Sequence, residues 1–444
     1  MTSGRIIGFA AGLDLEDVPD AVRHEARRAL CNIVGVAVGG SSLDASQISV
    51  RLATKLGDAR HARAVGTGCW AAVDRVALVD GIMAHVLDFD DTHLPSVYHP
   101  SAPVFSALFP LAEWTGSSGR ELLTAWVVGL EVGMRLALAL GREHYDAGWH
   151  VTGTAGVVGA AAAAGRLLQL DEGRMAHCIG IAATQASGHR EQFGSMTKSL
   201  HAGNAGASGL VAALLAEGGF TAAASSLDGR RGLFHVMSPN PDPKQLDSGL
   251  GSAWVLPENC IKPYASGVVT HPAIDGARAL KEEYGVAPEE IDSLVLRVNP
   301  LVTELTGKDD PQTGLEGKFS VRHCAAVGFL FGAAGPPEFD DAVVRAPDVV
   351  GVRERIRVEP DPAIPHMQAV VEAGLRSGRT VRVDVVDARG TPGRPLTDDE
   401  LAAKVDGLCA PVVGAERSRE LRQRLIAVEG EGSIAPVVDL TVGL

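Results

Sequence analysis

The sequence predicts a mainly α protein, with a large all-α helical domain and a smaller α+β domain. Three observations predict it. Up to about Asp247, apolar residues recur at helical spacing in run after run, with glycines where helices should stop. Beyond that point short alternating segments read as strands, and the final stretch of chain turns helical again. A chain of 444 residues is also too long for one ordinary core.

Taken in order, Pro19 suits a first helical turn, and Val22, Ala26, Leu30, Ile33 and Val34 share a helix face. Helical runs follow near 44–56, 70–89, 102–115, 119–140, 151–169, 172–186 and 199–217, with Gly57, Gly116, Gly141 and Gly218 at their ends. Many are apolar on most faces and rich in Ala and Gly, as in a layered bundle of closely packed helices. Strands are expected at 290–298, 355–358, 367–373 and 380–386, and Arg376-Ser-Gly-Arg379 reads as a hairpin turn. Helices at 271–284 and 322–331 lie between them. Helices at 397–408 and 415–427 follow, the first opened by a Thr397/Glu400 capping box. The expected division is therefore 1–250 with 395–444 for the helical domain and 255–390 for the α+β domain.

Composition narrows the function. Lys and Arg number 40 against 54 Asp and Glu, a net charge of −14, and no basic stripe interleaves with aromatics, so nucleic acid is not an expected partner. The six cysteines stand singly without CxxC or zinc spacing and read as buried fillers in a reducing compartment. The N-terminus lacks a basic-then-apolar leader pattern. Apolar runs such as 151–168 are broken by charge soon after and read as core helices, not membrane spans. A cytoplasmic protein is expected.

The densest polar stretch runs from Gly81 through Asp88-Phe-Asp-Asp-Thr-His93 to His99, with three carboxylates and three imidazoles in nineteen residues. It follows an apolar helical run, and a chain carries ionisable groups onto a core helix only when they are paired, ligated or used. Asp88 falls three residues after His85 and four before Thr92, so each pair shares a face if the helix extends that far. Four other segments place polar groups in apolar or glycine-rich surroundings. His150 precedes a very apolar helix, as a satisfied helix-entry residue or as an acid or base. Lys198 and His201 open a helix of small residues. A lysine there opposes the helix dipole, so it is either exposed or shares an anion with the free N–H groups. Lys262, Tyr264 and His271 lie on a Gly- and Pro-punctuated segment, and Lys318, Arg322 and His323 enter a further helix.

Several lysines, several histidines and a carboxylate cluster suit a substrate with more than one carboxylate. The cations hold it as an enolate-like charge develops, one group removes the α-proton and another protonates what leaves. A metal held by His85, Asp88, Asp91 and His93 is the rival chemistry, although the spacing matches no strong metal motif. No GxGxxG, P-loop or nucleophile elbow is present.

The His85…Leu-Asp-Phe-Asp-Asp-Thr-His93 string with His99-Pro-Ser resembles the signature of the MmgE/PrpD family. The Gly-Trp-His150, Lys198-Ser-Leu-His-Ala-Gly-Asn-Ala, Lys262-Pro-Tyr…Thr-His-Pro-Ala-Ile-Asp275 and Glu316-Gly-Lys-Phe-Ser320 segments match it in the same order. The resemblance implies a homodimer with no metal or organic cofactor. It implies site positions for Asp88, Thr92, His99, His150, Lys198, Lys262 and His323; with Tyr264 and His201 added from the residues themselves, Asp88, His99, His150 and Tyr264 are expected to serve catalysis, and Thr92, Lys198, His201, Lys262 and His323 to bind a small polycarboxylate. It favours dehydration of the 2-methylcitrate type, with epimerisation or decarboxylation of a related di- or tricarboxylate as the alternative and a non-catalytic, dimeric ligand-binding member as the second class. One departure stands out: the family's dehydratase- and decarboxylase-type members tend to carry a basic residue at or near Gly267, which points here to a smaller substrate.

Overall fold

The computed structural model describes residues 2–443. The chain divides into two compact units. The first comprises Met1–Val86, Asp90–Cys260 and Thr397–Leu444; the second comprises Leu87–Phe89 and Ile261–Leu396.

The first unit is helical. Its helices are α1 (Thr2–Gly12), α2 (Asp20–Gly40), α3 (Asp44–Lys55), α4 (Val73–Val86), α5 (Ser101–Thr115), α6 (Gly119–Asp146), α7 (Val151–Thr154), α8 (Gly156–Leu167), α9 (Glu172–Ala183), α10 (Thr197–Glu217) and α11 (Leu233–Met237). Two short antiparallel pairs interrupt them: β1 (Ala62–Arg63) with β2 (Trp70–Ala71), and β3 (Thr92–His93) with β4 (Asn259–Cys260). The run expected from residue 70 thus begins as a strand and becomes helix at Val73.

Small residues set the helix spacing. A methyl group on Gly81 of α4 would lie 2.4 Å from the Cα of Gly203 on α10, and one on Gly203 would lie 2.3 Å from the Leu78 carbonyl oxygen. The two backbones can cross at this distance only because both positions lack a Cβ. The same device brings α6 and α8 together, where a Cβ on Gly159 would lie 2.8 Å from the Gly129 carbonyl. Helix α6 is long and apolar enough to cross a membrane, but 94% of its most apolar window is buried, as a core helix requires.

The second unit is built on a four-stranded sheet in the order β6-β5-β7-β8. Its strands are β5 (Ile291–Val298), β6 (Ile356–Pro360), β7 (Ala369–Leu375) and β8 (Thr380–Val385), with β5 and β6 parallel and the other pairs antiparallel. Buried residues alternate along β7 (Ala369, Val371, Ala373, Leu375), the period-2 signature of a half-covered sheet. Helix α12 (His271–Glu282) covers β7 and β8 and packs on α15 (Val321–Phe331). The β5–β6 crossover carries α13 (Pro300–Thr306), α14 (Gly314–Gly317), α15, α16 (Asp341–Val344) and α17 (Pro347–Arg353). The β7–β8 turn closes with Gly378 at φ 83 and the Leu375 N–H donating to the Arg379 carbonyl, as its sequence predicts.

The chain then re-enters the first unit through α18 (Asp398–Val413), α19 (Ala415–Ile426) and α20 (Ala435–Thr441). The Thr397/Glu400 capping box is present, and α18 and α19 pack against α2.

Candidate active site

Four segments of the first unit converge. His85 lies in the last turn of α4, Asp90 and Thr92 follow it, His99 sits just before α5, and His150 immediately precedes α7. The Gly81–Gly203 crossing brings α10, with Lys198 and His201, beside α4. The ring centroids of His85 and His99 are 4.8 Å apart, those of His85 and His150 5.7 Å, His99 and His150 6.2 Å, and His150 and His201 5.1 Å.

One carboxylate organises half of this group. The Oδ2 of Asp90 lies 2.7 Å from His85 Nδ1 and 3.3 Å from His99 Nδ1. Thr92 Oγ1 is 3.4 Å from the same His99 nitrogen. Burial alone would raise the Asp90 carboxyl, but the charges and hydrogen bonds of His85 and His99 outweigh it and hold it well below the usual carboxylate range. Its neighbour Asp91 behaves oppositely. Burial lifts that carboxyl to about 6, against hydrogen bonds from Ser101 and Asn259. Asp91 holds the entrance of α5 and the β3–β4 pair in place.

The other half is a neutral pair. His150 Nδ1 and His201 Nδ1 are 2.8 Å apart, so one nitrogen donates to the other. Burial, then the charges of His85, Lys198, His201 and His99, pushes His150 well down. Burial, then His85, His189 and Lys198, pushes His201 down to about 4. Both imidazoles are therefore uncharged near neutrality. Phe193 stands edge-on to His150 at 5.0 Å, and the Lys198 ammonium lies 5.6 Å from that phenyl ring. Lys198 is buried, which overturns the exposed-lysine alternative.

Three polar atoms in this cluster are buried with no hydrogen-bond partner: His85 Nε2, Asp90 Oδ1 and His150 Nε2. Each such atom costs about 1–3 kcal/mol, so three in one cluster call for a ligand or a reaction.

Asp88 is placed differently from the sequence expectation. Helix α4 ends at Val86, and Asp88 adopts a left-handed φ of 50, which no α-helix can continue. It therefore shares no helix face with His85 or Thr92. Asp88 belongs to the second unit, where Lys262 Nζ donates to its Oδ1 at 2.7 Å and to its carbonyl at 3.1 Å. Lys318 Nζ donates to the carbonyls of Leu87 and Ala265 at 2.7 and 2.8 Å. The two buried lysines clamp the Leu87–Phe89 tripeptide.

The hydroxyl of Tyr264 is committed. It donates to Asp275 Oδ1 at 2.5 Å and accepts from Arg278 at 2.8 Å, and burial with the Asp275 charge pushes the phenol up to about 12. His323 pairs through Nε2 with the Glu338 carbonyl at 3.0 Å and packs against Phe339; burial pushes it down to about 4. At Gly267 a Cβ would meet Thr306 Cγ2 at 3.2 Å, so a larger residue would crowd that methyl.

The rival metal set does not assemble as His85, Asp88, Asp91 and His93. Asp88 pairs with Lys262, Asp91 with Ser101 and Asn259, and His93 Nδ1 lies 2.7 Å from Ser96 Oγ. The group whose potential ligand atoms lie within 4.8 Å of one another is His85, Asp90 and His99. Sequence reasoning singled out neither Asp90 nor the His85–Asp90 pair as the organiser. The five-residue separation of these two residues suggests nothing on a continuous helix, and they meet only because the helix stops.

A bundle of small-residue helices carrying a buried imidazole cluster, with a separate α+β unit, defines the class. Residues 4–246 match the MmgE/PrpD N-terminal domain and residues 264–427 the MmgE/PrpD C-terminal domain. The chain belongs to the MmgE/PrpD family. Among curated proteins it is similar to the cis-aconitate decarboxylase of Homo sapiens, 27% identical over 416 residues, covering 88% of this chain and 84% of that protein. The mouse cis-aconitate decarboxylase is 27% identical over 422 residues, covering 89% and 84%. That of Aspergillus terreus strain NIH 2624 is 24% identical over 471 residues, covering 99% and 95%.

Proposed function

We propose that this protein is an enzyme, a lyase that moves a proton at the carbon beside a carboxylate of a small polycarboxylate. The observation that carries this reading is the pairing of two opposed proton-transfer groups within one buried cluster. On one side, burial and neighbouring positive charge keep His150 and His201 neutral. On the other, the Asp90 carboxylate, held well below the usual range, lies against His85 and His99 and can offset positive charge that passes to them. A neutral imidazole as base facing a carboxylate-backed imidazole as acid is what acid–base chemistry on a single substrate needs.

In this reading His150 Nε2 takes the α-proton in the tautomer where its Nδ1–H donates to His201. Protonated there, it lies in surroundings that disfavour its charge and readily gives the proton up. An imidazolium backed by Asp90, His99 or His85, protonates the departing hydroxyl, which leaves as water while the carbon–carbon double bond forms. Lys198 holds a substrate carboxylate, and Thr92 orients His99. The ammonium of Lys262 is engaged by Asp88.

Dehydration of a hydroxy-polycarboxylate of the 2-methylcitrate type is the first assignment, because it uses both an acid and a base. Decarboxylation of a cis-aconitate-like substrate is the second, supported by the names of the relatives. Incubation with 2-methylcitrate, citrate, cis-aconitate and iminodisuccinate in heavy water separates them. An alkene supports dehydration and CO₂ supports decarboxylation. Deuterium at the α-carbon without net conversion indicates an epimerase. No exchange and no conversion with any of the four would remove the basis for this assignment.

A further inference from the structure

We infer that the first unit carries a second anion site, apart from the imidazole cluster, built for an organic molecule with two anionic groups. A cavity of about 620 Å³ opens between α9, the 223–232 loop and α11, and no residue lining it belongs to the imidazole cluster. Arg230, Arg231 and Ser225 give it a polar side; Ala183, Val236 and Met237 give it an apolar one.

Two features make this more than a surface dent. The first is the state of the arginines. In a chain of net charge −14, most arginines have a carboxylate to pair with, yet among the described residues Arg230 and Arg231 pair with none. Two adjacent guanidiniums without a counter-charge at the edge of a cavity favour an anion supplied from outside. Arginine offers several donors in a planar fork that fits carboxylate and phosphate alike.

The second is the rigidity of the wall. The loop is closed by backbone bonds from Gly229 to Ser225 (2.9 Å), Gly232 to Gly229 (2.7 Å), Leu233 to Ser226 (2.9 Å) and Phe234 to Leu227 (3.1 Å). A Cβ on Gly180 of α9 would lie 2.7 Å from the Ala222 methyl and 2.9 Å from Ser226 Oγ, so the loop is seated tightly on that helix. A ligand entering this cavity therefore meets walls already in place, which lowers the ordering cost of binding. The volume lies within the range of sites for small organic ligands, and the apolar side suits a carbon skeleton rather than a bare inorganic ion.

Two sources share this chemistry, a di- or tricarboxylate and a phosphate ester, and two titrants separate them. Citrate and inorganic phosphate are titrated calorimetrically into the full-length protein, into the double variant Arg230→Ala/Arg231→Ala and into Lys198→Met. The inference expects a site whose affinity falls at least tenfold in the arginine variant, persists in Lys198→Met and weakens as salt is raised. Preference for citrate assigns the polycarboxylate source, and preference for phosphate assigns the ester. Binding unchanged in the arginine variant, or binding of neither anion to the unaltered protein, overturns the inference. Both arginines are exposed, so an unchanged circular dichroism spectrum is expected of the variant. The titration needs no turnover, so its outcome is independent of whether the lyase assignment stands.

Discussion

In the second unit, Lys262 meets Asp88, Lys318 meets two carbonyls, and Tyr264 sits between Asp275 and Arg278. In the first unit, His85, Asp90 and His150 are buried just as deeply, yet each keeps one polar atom with no partner. The burial is the same and the use differs. In the second unit the lysines hold a backbone in place, here a left-handed residue that would otherwise be unfavourable. In the first unit, three unpartnered atoms gathered in one cluster carry a cost that a bound molecule or a moving proton can offset.

The comparison can be broken most sharply at His150. Replacing it by Asn, whose amide can keep the bond to His201 from the Nδ1 position while removing Nε2, should lower turnover by about 10²- to 10⁴-fold with little loss of stability. Steady-state rates alongside urea unfolding would check this, and a variant as active as the parent would remove His150 from the chemistry. The clamp should respond the other way. Lys262→Met leaves the Asp88 carboxylate buried without its ammonium and should cost about 3–5 kcal/mol in unfolding experiments, with much of it regained in Lys262→Met/Asp88→Asn. No recovery in the double variant would mean that the pair is not what holds the tripeptide.

The crossing that assembles the cluster is tested by Gly203→Ala. Its new methyl would fall 2.3 Å from the Leu78 carbonyl, for an expected cost of about 1–3 kcal/mol and a loss of turnover as α4 and α10 separate. The smallest effect concerns pH. His201 and His323 are each held down to about 4 in the folded chain, below the ordinary 6.5. Their neutral forms therefore contribute stability that is present above about pH 6.5 and lost as pH falls towards 4. The urea midpoint should drop across that window, and His323→Phe should flatten part of the slope. An unchanged slope would show that His323 does not titrate there.

Much of the fold is legible in the sequence because period and punctuation are local properties. The four sheet strands, the Arg376–Arg379 turn and the Thr397 capping box each depend on neighbours a few residues away. The site is legible only as a set of suspects. His99, Thr92, His150, His201 and Lys198 fall in one cluster, whereas Asp88, Lys262, Tyr264 and His323 fall in the second unit. The stop of α4 at Val86 separates Asp88 from His85, and the tripeptide beyond it is bonded by Lys262 and Lys318, residues more than 170 positions away. The pairing of Asp90 with two histidines likewise rests on a chain reversal that helical periodicity cannot signal.

The order in which the chain is made has a further consequence. Helix α2 is sheltered by α18 and α19, which are encoded after the whole second unit. At a translation rate of about 5–20 residues per second, the apolar side of α2 waits roughly 20–70 s on the ribosome for its cover. Moving residues 397–444 ahead of residue 1 by circular permutation would shorten that wait, and the permuted protein should aggregate less when synthesised without chaperones.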